Sequence, residues 1–286
     1  MLINYQKKHV VLLSNLSDIY TYIFIYMASS TVDHYCYFFF TKFIVVILVL
    51  AASVCYGEEG YIYSRATYYG SPECLGNPNG ACGYGEYGTT VNNGEVSGVS
   101  RLFRNGTGCG ACYQVRCKIP THCSKEGTKV VVTDFGVGPH TDFILSVRAY
   151  ANLALPNMAA ELYAYGVVDV EYQRIPCQYG KNNLFIKVHE RSKFPHYLAI
   201  LPVYQSGLSD IVAVQLWQED CKEWRAMRKV FGAVWDMENP PIGAAAVNLR
   251  IQLCGGDGQL RWVQIADAIP SDWKAGLAYD TAFQLN

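Results

Sequence analysis

The sequence predicts a mostly-β protein in which a β-barrel is followed by an immunoglobulin-like β-sandwich. Short runs of alternating or β-branched residues recur between glycine-rich turns, and a single stretch has convincing helical features. Strands that follow one another without crossover helices favour barrels and sandwiches over a βαβ fold. The length of 286 residues is sufficient for two such domains.

The N-terminus predicts export. Residues 35–54 are largely apolar, but Lys42 interrupts them, and the remaining run fits the hydrophobic region of a signal peptide better than a membrane span. Small residues at 51–53 supply a signal peptidase site. We therefore assign residues 1–54 to a signal peptide with a long n-region, in which Met27 is an alternative start. A single-span anchor is the other interpretation, and Lys42 disfavours it.

The first domain is predicted over residues 61–177. Aromatic residues dominate a strand at 61–69, and residues 113–117 alternate between apolar and polar side chains in another. Residues 129–133 are almost entirely β-branched, which indicates a buried strand. Ser146 is placed to cap a helix over residues 147–155. A last alternating strand at 168–173 precedes Cys177.

The second domain is predicted over residues 183–286. The polar segment 178–183 has no apolar period and marks the boundary between the domains. Beyond it, apolar or alternating runs predict strands at 184–188, 197–204, 212–216 and 249–253. About six to eight short strands in roughly 100 residues is typical of an immunoglobulin-like sandwich.

Five of the 11 cysteines lie between Gly80 and Asp134, where Cys109 and Cys112 form a Cys-x-x-Cys motif. In a cytosolic chain this motif indicates a redox or zinc site. In an exported chain, structural disulfides are favoured, because ten cysteines remain after removal of Cys36 with the signal peptide. We therefore expect no metal and no cofactor.

The overall charge and the aromatic content bear on possible partners. A formal net charge of −1 gives no reason to expect nucleic acid or an anionic membrane as a partner. The 22 tyrosines suit surfaces that stack on flat ligands. All five tryptophans fall in the second domain, where some must form the core and others could join Tyr197 and Tyr204 in a sugar-stacking strip.

Asp134 is the candidate acid–base residue of the first domain. It ends the buried strand and precedes a glycine-containing loop, which fits an active-site carboxylate and a loop-capping aspartate about equally well. Asp142 lies eight residues further on, and two carboxylates could flank a glycosidic bond. Asn105 begins an Asn-Gly-Thr sequon and is a predicted glycosylation site.

Several blocks in one order resemble the expansins, a family of plant cell-wall-loosening proteins, and most closely their expansin-like B branch. The resemblance covers the chain from about residue 61 to the C-terminus. In the first domain it rests on residues 66–70, 80–85, 108–117, 132–134 and 170–177. In the second domain it rests on residues 197–199, 209–211, 231–235 and 269–275.

The resemblance implies a six-stranded double-psi β-barrel related to family-45 glycoside hydrolases, followed by a cellulose-binding-like sandwich. It implies polysaccharide-binding positions at Thr67, Tyr84 and Asp134 in the barrel and at Tyr197 and Phe231 in the sandwich. Trp224 is a further candidate. The implied disulfides are Cys82–Cys109, Cys112–Cys177 and Cys117–Cys123. For two cysteines outside this pattern, Cys221 and Cys254, we expect a fourth pairing.

The sequence departs from the family pattern at one position of the cleft. Expansins carry an aspartate, corresponding to the catalytic acid of the hydrolases, where this chain has Ile144. Isoleucine cannot donate a proton, so no catalytic residue is expected and Asp134 is a vestigial acid. Asp142 is a possible surrogate, because residues 142 and 144 share a face if the segment is extended.

These observations predict a secreted, monomeric, non-hydrolytic plant cell-wall protein. Its expected partner is a wall polysaccharide, namely cellulose, xyloglucan or a related β-glucan, whose noncovalent contacts it would loosen. Two alternatives stay open. One is a wall-binding or defence-related lectin without loosening activity, and the other is a weak glycoside hydrolase.

Overall fold

The first half of the described chain forms a closed six-stranded β-barrel in the computed structural model, which describes residues 60–71, 73–241 and 245–285. The strand order around the barrel is β1-β5-β2-β4-β3-β6. The strands are β1 (Ile62–Tyr68), β2 (Val96–Val99), β3 (Cys112–Cys117), β4 (Thr128–Phe135), β5 (Phe143–Leu145) and β6 (Val168–Ile175). The predicted signal peptide and its cleavage site lie outside the described residues.

The barrel combines two parallel and four antiparallel strand pairs. The parallel pairs are β1–β5 and β2–β4, and each connects strands that are distant in sequence. In β4 the run from Val130 to Val132 is almost completely buried, as its β-branched composition predicts. Phe143, Tyr150 and Tyr172 are the largest fully buried aromatic side chains of this core. The mostly-β barrel expected from the sequence is therefore confirmed.

Three short α-helices lie beside the barrel in the described residues: α1 (Glu86–Thr90), α2 (Val147–Ala151) and α3 (Ala159–Tyr165). The Ser146 hydroxyl caps α2, as predicted, by accepting a hydrogen bond of 3.2 Å from the Ala149 N–H. The helix ends at Ala151, four residues before the predicted end. The following residues bond instead to a loop, where the Leu155 N–H donates to the His122 carbonyl at 2.7 Å. α3 was not predicted.

The second half forms the predicted sandwich of two antiparallel sheets. One has the order β10-β9-β13-β14, and the other has the order β11-β12-β8-β7-β15. The strands are β7 (Phe185–Val188), β8 (Tyr197–Val203), β9 (Asp210–Gln218), β10 (Glu223–Ala226), β11 (Arg228–Phe231), β12 (Val234–Glu238), β13 (Val247–Cys254), β14 (Leu260–Ile269) and β15 (Ala278–Asp280). Trp235 and Trp273 are buried in its core.

The structure contains the three disulfides that the resemblance implied, namely Cys82–Cys109, Cys112–Cys177 and Cys117–Cys123. The expected pairing of Cys221 with Cys254 is wrong. Cys221 is a free, exposed thiol, whereas Cys254 is disulfide-bonded and buried at the end of β13. No helix in the described part of the chain is long and apolar enough to cross a membrane.

Candidate functional site

A groove of about 510 Å³ runs across the barrel beside the end of β4. We call it the barrel groove. Its lining comprises Tyr69, Gly70, Ser71, Gly76, Asn77, Pro78, Gly98, Asp134, Phe135, Gly136 and Ile144. The middle strand of this region, β2, contributes Gly98, which pairs with Asp134 on one side and with Ile144 on the other. Because Gly98 has no side chain, the space between its two neighbours stays open.

The Asp134 carboxylate is held in the groove by three hydrogen bonds. Its Oδ1 accepts from the backbone N–H groups of Ala81 at 2.6 Å and Phe135 at 2.7 Å. Its Oδ2 accepts from Asn77 Nδ2 at 3.0 Å. Carboxylate oxygens have about four lone-pair positions in total, so a hydroxyl of a ligand can still be bound. The arrangement orients Asp134 as a fixed hydrogen-bond acceptor.

Tyr69 is the functional candidate that the sequence reasoning missed. Its ring lines the barrel groove, and its buried hydroxyl has no hydrogen-bond partner among the described residues. Burial, and then the nearby Asp134 carboxylate, raise the pKa of the Tyr69 phenol above its ordinary value, so the hydroxyl stays protonated. The sequence carried a signal for it, because Tyr69 belongs to the block of residues 66–70 on which the resemblance rests.

Ile144 lines the groove, at the position where the resemblance places an aspartate in the expansins. It packs over Gly136, since a Cβ added at that glycine would collide with Ile144 Cδ1. The wall opposite Asp134 is therefore apolar and offers neither a proton nor a negative charge.

Asp142 is not a surrogate for the missing carboxylate. Its two carboxylate oxygens share one hydrogen bond from Arg101 Nε–H, at 2.9 and 3.0 Å, and one of them accepts a further bond from Ser64 Oγ at 2.6 Å. The residue is 8 % exposed and does not line the barrel groove. The extended strand β5 begins only at Phe143, so the alternation that would place residues 142 and 144 on one face does not apply.

Two other predicted barrel positions also lie outside the groove. Tyr84 is 2 % exposed and packs edge-to-face against Tyr87 at 5.2 Å, so its predicted contact with polysaccharide is wrong. Burial raises the pKa of its phenol far above the ordinary value. Thr67 is half-buried, and its hydroxyl donates to the Gly166 carbonyl at 2.9 Å. A binding role for Thr67 stays a prediction.

The two predicted aromatic residues of the sandwich lie on one sheet, the five-stranded one. The Tyr197 hydroxyl donates to Asp236 Oδ2 at 3.0 Å. Asp236 in turn pairs with Arg228 through two hydrogen bonds of 3.0 and 2.8 Å, and Arg228 holds the pKa of Asp236 below its usual range. Tyr197 also borders a polar groove of about 640 Å³ formed by residues that include Arg191, Lys193 and Glu238.

Phe231 is 39 % exposed and lies against the barrel. A Cβ added at Gly83 would come within 2.7 Å of Phe231 Cε2, so the ring occupies the space that a side chain would fill. The ring is also edge-to-face with His189 at 6.1 Å. Phe231 therefore connects the five-stranded sheet of the sandwich with the first domain.

Charged groups reinforce this contact between the two domains. Asp210, at the start of β9, pairs with Arg104 at 2.7 Å and with Arg174 at 3.1 Å, both from the barrel. Lys229 of β11 donates to Thr107 Oγ1 at 3.1 Å. Burial is the largest effect on this lysine and lowers its pKa to about 8.

Trp224 does not join Tyr197 and Phe231. It belongs to β10 in the four-stranded sheet, which is the other layer of the sandwich. There it packs against Trp217 at 5.3 Å and against the Arg250 guanidinium at 4.7 Å. The structure therefore brings together Asp134, Ile144 and the unpredicted Tyr69 on the barrel, and Tyr197 and Phe231 on one sheet. The predicted sequon residue Asn105 is exposed in a 3₁₀ segment, Arg101–Gly106, and its glycosylation stays a prediction.

Both halves of the chain match known protein families. Residues 184–270 match the family described as Expansin C-terminal domain, and residues 95–172 match DPBB_1, described as Lytic transglycolase. The chain is 59% identical to Expansin-like B1 of Arabidopsis thaliana over 238 residues, which cover 83% of this chain and 94% of that protein. It is 39% identical to Expansin-like B1 of Oryza sativa subsp. japonica over 243 residues, covering 85% of this chain and 95% of that protein.

Solved structures show the same fold at low sequence identity. The apo crystal structure of a Clavibacter michiganensis expansin aligns with a TM-score of 0.57 at 17% identity, covering 79% of this chain and 98% of that one. A mutant of the same bacterial protein, crystallised in complex with cellohexaose, aligns with a TM-score of 0.58 at 17% identity and the same coverage.

Proposed function

The chain belongs to the expansin family, and from this premise we propose that it is a secreted plant cell-wall protein that binds a β-glucan chain without cleaving it. Binding would use the barrel groove and the part of the five-stranded sheet that carries Tyr197 and Phe231. The consequence for the wall would be loosening of noncovalent contacts between polysaccharides. The protein would act as a monomer and without a cofactor.

The observation that supports this proposal is the single carboxylate of the groove. Among the described residues that line it, Asp134 is the one carboxylate, and Ile144 faces it across Gly98. Inverting hydrolysis of a glycosidic bond needs a general acid and a general base about 6.5–9.5 Å apart. With one carboxylate already committed to three donors, the groove has an acceptor for sugar hydroxyls and no partner acid.

The remaining groups suit a neutral sugar chain. Asp134 can accept a hydrogen bond from a sugar hydroxyl, the Tyr69 ring lines the groove, and the exposed Phe135 offers an apolar ring at the rim. On the sandwich, Phe231 and Tyr197 add ring surface of the kind that packs on pyranose rings. Cellohexaose, which the mutant bacterial expansin binds in its crystal, is the appropriate first ligand to test.

A creep assay on heat-killed wall strips tests the loosening function. We expect the purified wild-type protein to extend strips under load and Asp134→Ala to have lost most of this activity. Asp169→Ala is the matched control, because Asp169 is an exposed carboxylate on β6 that lies outside the groove. Equal extension with wild type and Asp134→Ala would overturn the groove as the site of action. Binding to the wall without extension would favour the lectin alternative.

A second candidate function has a specific observation in its favour. Residues 95–172 of the barrel match the family described as Lytic transglycolase, and that description favours cleavage of a glycosidic bond. The two functions differ in their products. Release of new reducing ends from xyloglucan or cellulose, lost in Asp134→Ala, would establish a cleaving enzyme, whereas extension without new ends supports the proposed function.

A further inference from the structure

A second aromatic surface lies on the four-stranded sheet, the layer of the sandwich that does not carry Tyr197 and Phe231. Four side chains from four neighbouring strands form it: Trp224 of β10, Trp217 of β9, Arg250 of β13 and Trp262 of β14. We call it the indole–arginine strip. Trp224 stands directly opposite Trp217, and Arg250 stands opposite Gln215 and Gln264. These residues alternate with buried ones such as Leu249 and Ile251, so the strip occupies the outer face.

Arg250 lies between two indole rings. Its guanidinium carbon is 4.7 Å from the centroid of Trp224 and 4.6 Å from that of Trp262. Its Nε donates to Gln215 Oε1 at 2.6 Å. Stacking and this hydrogen bond fix the planar group, because a guanidinium is attracted to the face of an aromatic ring.

No described residue neutralises the charge of Arg250. Within the described ranges, no carboxylate lies within 4.0 Å of it, and its terminal amino groups have no acceptor. Glu219, a carboxylate in contact with the strip, accepts a hydrogen bond of 2.7 Å from Trp217 Nε1 and pairs with Lys222. The strip therefore presents one fixed positive charge. The two terminal amino groups of its guanidinium have no acceptor among the described residues and can donate to a ligand.

The space beside the indoles has the composition of a sugar site. A groove of about 430 Å³ is lined by the indoles of Trp217 and Trp224 and by the amide residues Asn248 and Gln264. Ile265 and Ala266, which follow Gln264 in the chain, complete its lining. Indole faces pack on the apolar faces of pyranose rings, and amide side chains bind hydroxyls through both donors and acceptors. Trp262, 40 % exposed, extends the same surface on the far side of Arg250.

We propose that the indole–arginine strip binds an acidic pyranose chain, a polyuronate, with the sugar rings against the indoles and one carboxylate on Arg250. The choice of an acidic chain follows from charge complementarity, since a fixed guanidinium fork matches the two oxygens of a carboxylate. This site is separate from the barrel groove and takes a different ligand class. It would let one molecule contact a neutral glucan and an acidic polysaccharide at once.

Calorimetric titration of the full-length mature protein tests the site. The probes are an oligogalacturonate of defined length, its fully methyl-esterified form and cellohexaose. We expect the acidic oligomer to bind, the ester to bind about tenfold more weakly or worse, and Arg250→Gln to weaken binding of the acid by about tenfold, as loss of a charge-assisted hydrogen-bonded pair should. Arg250→Lys keeps the charge but loses the fork, and we expect an intermediate affinity. Arg148→Gln, on the exposed side of α2, is the control for lost net charge.

The outcomes separate this site from the barrel groove. Asp134→Ala should leave binding of the oligogalacturonate unchanged, whether or not that variant affects cellohexaose. Equal affinity of wild type and Arg250→Gln for the acid, equal affinity of acid and ester, or no binding of the acid would each overturn the proposal. Loss of cellohexaose binding in Trp262→Ala, with the acid bound no better than the ester, would show a neutral-glucan face instead. Far-UV circular dichroism and thermal unfolding establish that each variant is folded.

Discussion

Asp134 and Ile144 flank Gly98 on the two sides of one barrel strand. Gly98 pairs with Asp134 of β4 and with Ile144 of β5. Since neighbouring strands are about 4.8 Å apart, residues on the two outer strands are separated by about 10 Å between Cα atoms. That is the geometry in which two carboxylates would flank a glycosidic bond, and the chain has placed an isoleucine at one of the two positions.

Ile144→Asp should therefore introduce a slow glycan-cleaving activity that wild type lacks. The substitution places a second carboxylate across the open space above Gly98, within reach of the separation of about 6.5–9.5 Å that inverting hydrolysis requires. Release of reducing ends from xyloglucan measures it, and the double variant Ile144→Asp with Asp134→Ala should be inactive again. A folded Ile144→Asp variant with no activity would show that the missing acid is not what prevents cleavage.

Tyr69→Phe should leave the melting temperature equal to that of wild type or raise it. The Tyr69 hydroxyl is buried and has no partner within the described part of the chain, so its removal costs the folded protein no hydrogen bond. Tyr61→Phe is the contrast, because the Tyr61 hydroxyl donates to Gln114 Oε1 at 2.9 Å and its removal should lower the melting temperature. A fall in melting temperature for Tyr69→Phe would mean that the hydroxyl already has a structural partner.

Gly83→Ala should destabilise the protein more than Gly180→Ala does. Both glycines have a positive φ, of 80° and 60°, so alanine strains the backbone at either position. Only at Gly83 would the new Cβ meet other groups, the Phe231 ring at 2.7 Å and Val234 Cγ2 at 2.8 Å. We expect a loss of about 1–3 kcal/mol in the free energy of unfolding for Gly83→Ala and about 1 kcal/mol for Gly180→Ala. Equal losses in denaturant titrations would show that both Phe231 and Val234 move aside at little cost.

Lys229 should make stability depend on pH in the alkaline range. Burial lowers the pKa of Lys229 to about 8 in the folded protein, while the unfolded chain has the ordinary value of about 10.5. Between these values the unfolded state binds more protons, so the cost of burying this lysine decreases as pH rises. The free energy of unfolding of wild type, relative to Lys229→Met, should therefore increase from pH 7.5 to pH 9.5. A constant difference would mean that the lysine keeps its ordinary pKa.

Local patterns predicted most of the fold because they record which side of each strand is buried. The β-branched run in β4 and the alternation in β3 correspond to observed strands, and Ser146 caps a helix as its position suggested. The end of α2 was not predictable from the helix itself. The residues after Ala151 bond to the loop at His122, and this competing partner is distant in sequence.

Site residues could be predicted from the sequence where their position depended on the end of a strand. The prediction failed for residues whose surroundings depend on packing between distant parts of the chain. Asp134 lines the groove, as its place near the end of a strand indicates, and its role in binding stays a prediction. Tyr84 was assigned to the surface although Tyr87 packs against it in the core, and Asp142 was offered as an acid although Arg101 binds it. Trp224 was grouped with Phe231 because the sequence does not say which layer of the sandwich a strand joins.

Titration of cellohexaose, with the same samples assayed for new reducing ends, tests most directly the claim that the barrel groove binds a glucan without cutting it. We predict saturable binding by wild type, an affinity about tenfold lower in Asp134→Ala, unchanged affinity in Asp169→Ala, and no new reducing ends in any sample. New reducing ends from wild type that disappear in Asp134→Ala would contradict it.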